Sequence, residues 1–323
     1  MEQKIKALVR FAIENHVSDI HFHCVKDEVQ IFMRNENGIQ LYGECGDMRY
    51  VTYLRYISNL DLSSSNKLQS GQCSLEIEGE IIPLRFSYLK TPTLCNSVLR
   101  ILKSPQKIHI DNLSYKKEQN QVFRSLCDHP DGLLVFSGAT GSGKTTTMYA
   151  LLDHLSQMGK NIITLEDPIE MYRDTMIQIQ VHEPTLTYQD GLKQALRHDP
   201  DVLMVGEIRD PDTARMAIRC ALTGHLVLTT IHAKSAQGAI VRLRELGVSM
   251  DEIASVLRLV SYQRIVKGKK KPKVCLYELI YGNKIDRILQ GEEVRDGMDR
   301  EIEEAYAKGY ITKSEAISNG LTV

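Results

Sequence analysis

The 323-residue chain contains no C-x-x-C pair, and its seven cysteines (Cys24, Cys45, Cys73, Cys95, Cys127, Cys220 and Cys275) are odd in number and widely scattered. That excludes both a zinc ribbon and a dithiol redox motif. Reduced thiols in a reducing compartment are the simple reading. No apolar run approaches the roughly 18 residues needed to span a bilayer. The opening stretch "MEQKIKALVRFAIENH" lacks the continuous apolar core of a signal peptide. Its spacing instead predicts an amphipathic helix with Ile5, Leu8, Val9, Ala12 and Ile13 on one face. Nor is there an excess of either charge. Forty basic residues stand against 41 acidic ones, so no global field draws the chain to nucleic acid or to a membrane. These absences describe a cytoplasmic protein, and its length allows two domains.

What is present divides into two halves. In residues 1–102, "SDIHFHC" alternates as a strand should. "VQIFMRNENGIQLYGE" folds back around Asn37-Gly38, "CSLEIEGEIIPLRFSYL" around Glu78-Gly79, and "SVLRIL" supplies a further strand. With a helical stretch near 47–60, carrying Val51, Leu54 and Ile57, this is an α+β module. The polar segment 103–115 reads as a linker. From residue 116 the pattern changes. "GLLVFSG", "NIITLED", "DVLMVGEI" and "HLVLTTIHA" are continuous apolar runs of strand length, as in a parallel sheet covered on both faces. Helical patterns lie between them at 145–158, 188–198 and 211–223, the last with Asp210 as N-cap and Pro211 in the first turn. From about residue 247 the chain reads as mainly helical. Thr312-x-x-Glu315 offers a capping box for a last short helix. The fold class is therefore α/β in the second half, behind the smaller α+β module.

Between the first of these strands and its helix lies Gly138-Ala139-Thr140-Gly141-Ser142-Gly143-Lys144-Thr145, followed by Thr146. It matches G-x-x-x-x-G-K-[ST]. Glycines let backbone N–H groups turn inward around phosphates where a Cβ would clash. Lys144 would neutralise β- and γ-phosphate charge, and the Thr145 hydroxyl would ligate Mg²⁺. The helix N-terminus would face the anion. The strand before the loop and the helix after it make this a nucleoside triphosphate site.

Hydrolysis needs acids at the same edge, and ligands of a parallel sheet sit beyond the carboxyl ends of its strands. "IITLEDPIE" brings Glu166 and Asp167 there, and "VLMVGEIRD" brings Glu207. Glu207 follows four apolar residues and a glycine, where burial without a use would be costly. It is the candidate base or water-orienting residue. "TGHLVLTTIHA" puts His225 and His232 at opposite ends of one strand. Seven residues of extended chain separate them by about 23 Å, so they cannot share a metal ion. His232 emerges at the carboxyl end with Lys144 and Glu207, and His225 at the far edge. "NKID" at 283–286 resembles the guanine-reading motif of GTPases. No aspartate from Asp153 to Asp212 has a glycine three residues later, so the GTPase reading lacks its second motif.

Taken in order, "SDIHFH", "GATGSGKTTT", "ITLEDPIE", "ALRHDPDVLMVGEIRDPDTA" and "TGHLVLTTIHAKSAQGAIVRLRELG" resemble the motif series of the secretion or traffic ATPases of type II secretion and type IV pilus assembly. The resemblance covers nearly the whole chain. It implies a PAS-like N-terminal domain (1–102) joined through 103–115 to a RecA-like ATPase domain (116–323). It implies a homohexamer hydrolysing ATP with Mg²⁺, peripheral to the cytoplasmic face of the membrane, acting on a polytopic platform protein and through it on pilin-like subunits. By this resemblance Glu207 is the catalytic glutamate, Glu166 and Asp167 belong to a Mg²⁺–water network, and His232 senses the γ-phosphate. Arg85 and Arg100 would reach the phosphates from the N-terminal domain.

The four-cysteine zinc module that many such ATPases carry is absent. Only Cys275 follows "KGKKKPK", so no zinc is expected. The short architecture is similar to that of Gram-positive competence-pilus ATPases. The A-I-R-N-L-I segment characteristic of retraction ATPases does not occur. A retraction or DNA-translocating role stands as the alternative, and a GTP-dependent switch as the weaker one. The lysine run 267–273 fits a solvated loop, or contact with anionic lipid or an acidic partner. Without interleaved aromatics it does not carry a nucleic-acid signature.

Overall fold

The computed structural model describes all residues except 26–27, 36–37, 46, 64–67, 91–94, 103–107, 182–185, 293–296 and 322–323. The chain forms two compact units, Met1–Pro105 and Gln106–Val323. Asn37 of the expected first turn lies outside the described residues, as does the first part of the expected linker.

The first unit opens with helix α1 (Glu2–Glu14), which buries Ile5, Leu8, Val9 and Ala12. Ile13, expected on the same face, is exposed. Strands β1 (Asp19–Val25), β2 (Glu28–Asn35) and β3 (Gly38–Cys45), helix α2 (Arg49–Ile57), and strands β4 (Gln69–Ile77), β5 (Glu80–Lys90) and β6 (Cys95–Ile101) follow. The antiparallel sheet has the order β3-β2-β1-β6-β5-β4. First and last strands therefore sit side by side at its centre, a PAS-like arrangement. α1 and α2 pack their apolar stripes on Phe22, Phe86 and Leu99 of one face.

The second unit contains α3 (Lys117–Cys127), β7 (Gly132–Ser137), α4 (Lys144–Gln157), β8 (Ile162–Glu166), β9 (Ile177–Gln180), α5 (Tyr188–Ala195), β10 (Val202–Val205), α6 (Pro211–Leu222) and β11 (Leu226–Ile231). It continues with α7 (Ala236–Glu245), α8 (Met250–Val256), β12 (Leu257–Lys267), β13 (Lys273–Tyr281), α9 (Asn283–Leu289), α10 (Gly297–Ala307) and α11 (Lys313–Ser318). Its sheet runs β13-β12-β7-β11-β10-β8-β9, parallel except for β13. Every residue of β7, β8, β10 and β11 is buried, because helices cover both faces. Asp210 caps α6 as the sequence suggests, accepting from Asp212 N and Thr213 N, each at 2.9 Å.

Three expectations need correction. The chain beyond 247 is not mainly helical, since β12 and β13 extend the sheet as a hairpin. Ser261 and Gln263 interrupt the apolar pattern of β12 yet are fully buried. Polar residues in a buried strand hide its period. The segment 103–115 is not a linker throughout. Ile110 and Leu113 pack into the core of the second unit, and Asn120 Oδ1 accepts from Ser114 N at 2.8 Å. The box at Thr312 is half formed. Thr312 Oγ1 accepts from Glu315 N, but the Glu315 carboxylate accepts from Lys267 N at 2.9 Å instead.

Candidate nucleotide site

The strand order brings the carboxyl ends of β7, β8, β10 and β11 to one edge. Loop 138–143, Glu166, Glu207 and His232 follow or end these four strands in turn. Glu166, Glu207 and His232 border a cavity of about 580 Å³ with Thr140, Gly141 and Gly143 of the loop and with Lys144, Thr145, Thr146 and Asp167. Gly138 has φ +146°, and a Cβ there would lie 2.5 Å from Gln263 O and 2.6 Å from Ser142 Oγ. Only glycine fits that approach of loop to β12. Gly143 also has positive φ, at +86°, immediately before α4. Gly138, Ala139 and Ser142 do not line the cavity. The first two offer their carbonyls to Lys144 Nζ, at 2.9 and 3.1 Å. Ser142 is buried, and its carbonyl accepts from Gln263 Nε2 at 2.8 Å. Burial lowers the Lys144 pKa, with the Glu170 charge opposing.

The acids differ in setting. Glu207 stands against Arg209, and its Oε2 lies 3.5 Å from His232 Nε2. Burial, then the Lys144 and Arg209 charges, lower the His232 pKa. The imidazole is therefore neutral near pH 7, and the contact with Glu207 is not an ion pair of two full charges. Glu166 is buried, and its Oε1 accepts from Tyr149 Oη at 2.6 Å, Thr164 Oγ1 at 2.7 Å and Gln178 Nε2 at 3.3 Å. Burial raises its pKa against those donors. Asp167, which follows, is exposed toward the cavity rim and precedes a cis Pro168.

Arg85 and Arg100 lie in the first unit, opposite each other on β5 and β6. Arg100 Nε donates to Asp19 Oδ1 at 2.6 Å. Asp19 is buried, which alone would raise its pKa. Bonds from Ser18 and Arg100 outweigh burial and hold it low. The sequence motif "SDIHFH" thus supplies the carboxylate that orients Arg100.

His225 sits at the amino end of β11, its Nδ1 within 3.0 Å of Cys220 O and 3.1 Å of Thr223 Oγ1. It tethers the turn after α6 and does not line the cavity. Asn283 to Asp286 form the first turn of α9, with Ile285 in the core. None of the four borders the cavity. Sequence reasoning missed Tyr149, Gln178 and Gln263, none of which carries a motif, and Lys273. The last closes the lysine run but heads β13 and borders the cavity with Ile265 of β12.

A glycine-rich loop ahead of a helix at the carboxyl edge of a parallel sheet, with acids and a histidine around one cavity, is an arrangement suited to an anionic ligand in an α/β domain. The family follows from comparison: residues 1–303 match the family described as type II/IV secretion system protein, and the chain belongs to it. It is 34% identical over 314 residues to Competence protein ComGA of Bacillus subtilis, covering 90% of this chain and 88% of the relative. It is 34% identical to Competence protein ComGA of Halalkalibacterium halodurans, covering 98% of each. Among solved structures it is similar to the pilus retraction motor PilT with bound ADP, at TM-score 0.79 and 26% identity, covering 98% of this chain and 97% of that one. The α/β fold class, an N-terminal domain followed by a RecA-like domain, agrees with these relatives.

Proposed function

We propose that this chain is a Mg²⁺-dependent ATP hydrolase that drives assembly of a competence-type, type IV-like pilus for DNA uptake. The observation that carries the reading is the meeting of Lys144, Thr145, Glu207 and His232 on one cavity, in a chain similar to ComGA over most of its length. The oxygen-rich donor set of Thr145, Glu166 and Asp167 on that cavity fits a hard divalent cation. Thr145 and the acids would hold Mg²⁺, which would neutralise charge on the β- and γ-phosphates.

The protein's own groups divide the remaining work. Loop N–H groups and the N-terminus of α4 would bind the phosphates, and Lys144 would leave the Gly138 and Ala139 carbonyls to join them. Glu207 would orient the attacking water and take its proton. Neutral His232, within reach of Glu207, would donate from Nε2 to the γ-phosphate. Arg85 and Arg100 would add guanidinium charge to the transferring phosphoryl group, with Asp19 fixing Arg100. Glu166, held by three side-chain donors, would set the position of Asp167 and reach Mg²⁺ through water.

In this reading the chain works as a homohexamer at the cytoplasmic face of the membrane, against a polytopic platform protein that moves pilin-like subunits. Among the described residues no helix is long and apolar enough to cross a membrane. Likeness to PilT keeps retraction as a second reading. Capture from solubilised membranes with Glu207→Gln and ATP tests the assignment. Recovery of a polytopic pilus platform protein supports it, and a variant that binds ATP but recovers none overturns it.

A further inference from the structure

β12 is a buried strand with a buried amide in it, and that costs free energy unless the amide is used. Gln263 has no exposed surface. Its Nε2 donates to Ser142 O at 2.8 Å, while its Oε1 has no hydrogen-bond partner among the described residues. An apolar residue would satisfy the core better, and the other contact of Nε2 is a long one to Cys275 Sγ at 3.9 Å, so the bond to the loop is the feature to explain.

The strand grips the loop at three points. The Gln263 carbonyl closes on Gly138, so tightly that a Cβ there would come within 2.5 Å. Its amide reaches Ser142, and Ile265, on the same face two residues on, lies against Gly143, 3.1 Å from where a Cβ would be. Beside it, Tyr277 of β13 meets Thr147 of α4, hydroxyl to hydroxyl, at 2.9 Å. The loop and the start of its helix are thus braced from behind by the β12–β13 hairpin.

Peptide planarity gives the amide contact its consequence. In a trans peptide the C=O and the following N–H point in opposite directions. Holding Ser142 O toward β12 therefore turns Gly143 N–H away from β12. Gly143 borders the cavity and Ser142 does not. We propose that Gln263 is a positioning residue for phosphate binding: by anchoring the Ser142 carbonyl it pre-orients the Gly143 N–H toward the phosphates of a bound nucleoside di- or triphosphate. The inference rests on the nucleotide reading of the cavity and adds a residue outside the loop. With that anchor the N–H is set before the nucleotide arrives, and the ordering cost on binding is smaller.

The test compares Gln263→Met, equal in length but without a donor, with Gln263→Glu, in which an oxygen faces the Ser142 carbonyl. Ser261→Ala, a buried change on the same strand, is the control. ADP affinity, ATP KM and kcat, and the apo melting temperature are measured on the full chain. The expected result for Gln263→Met is a Kd for ADP and a KM for ATP about tenfold higher, the order of one lost hydrogen bond. Its kcat should stay within about twofold and Ser261→Ala should resemble wild type. Amide hydrogen exchange in apo peptides spanning 138–145 should quicken in both Gln263 variants while β7 and β11 stay protected. Unchanged KM, Kd and loop exchange overturns the inference, as does a fall in kcat alone. Should Gln263→Met not fold, the same readouts on Gln263→Glu decide. Wild-type protein that binds no ADP would instead overturn the nucleotide reading itself.

Discussion

Replacing Glu207 with Gln keeps the volume and the hydrogen-bonding reach of the side chain and removes its basicity. Its side chain is 17% exposed, so the group works in a partly desolvated setting. Arg209, its ion-pair partner, is 68% exposed, so loss of that pair has little effect on stability. His232 is already biased to the neutral form by burial and by Lys144 and Arg209, so the substitution leaves its charge as it was. The loop residues and Lys144 are untouched, and ATP affinity should stay within a few-fold of wild type. The catalytic term is another matter. A positioned general base contributes about 10²–10⁴ in rate, equivalent to roughly 3–5 kcal/mol of barrier. Steady-state phosphate release, paired with fluorescent-nucleotide titration, separates the two quantities. Turnover within about threefold of wild type would refute the role of Glu207, and loss of binding would refute its separation from the phosphate groups.

Three further outcomes follow from the same geometry. Arg100→Ala should lower turnover at least about tenfold while circular dichroism shows the fold retained, because Arg100 is largely exposed and buried Asp19 keeps its bond from Ser18; unchanged turnover would remove Arg100 from the mechanism. Asp210→Ala deletes an N-cap that accepts from two backbone N–H groups and should cost about 1–2 kcal/mol in urea unfolding; no loss would mean that α6 is held by packing alone. Glu278 has its pKa raised, by burial first and against a bond from the Ala236 backbone. The folded state then holds more protons than the unfolded state above the ordinary carboxyl range. Stability should therefore fall as pH rises from about 4.5 through the raised value, and Glu278→Gln should flatten that slope. A variant with the wild-type slope would show that other groups set it.

Much of this was readable from the chain because the physics is local. Four buried strands are continuous apolar runs, and the loop between β7 and α4 announces itself by glycine spacing. The Asp210-Pro211 pair marks the start of α6. Placement of Glu207 and His232 at one edge needed only the parallel direction of their strands. What escaped was long-range. β12 carries Gln263 against the loop it supports and a second buried polar residue, Ser261, and these two broke the pattern that would have revealed it. Glu166 looked like a free acid at a strand end, whereas Tyr149 from α4 and Gln178 from β9 converge on one of its oxygens. Glu315 had the spacing of a capping box, but its carboxylate found Lys267 N across the fold. Lys273 was one lysine in a run until the hairpin carried it to the cavity. In each case the deciding partner is distant in sequence.

The central claim is that the cavity at the carboxyl edge of the second sheet hydrolyses ATP with Mg²⁺. Phosphate release from ATP by the purified full chain, wild type against Lys144→Ala, with Mg²⁺ and with chelator in its place, tests it most directly. The account predicts turnover only for wild type with Mg²⁺, and little competition from GTP. Equal rates for the two proteins, or turnover that persists in chelator, would contradict it.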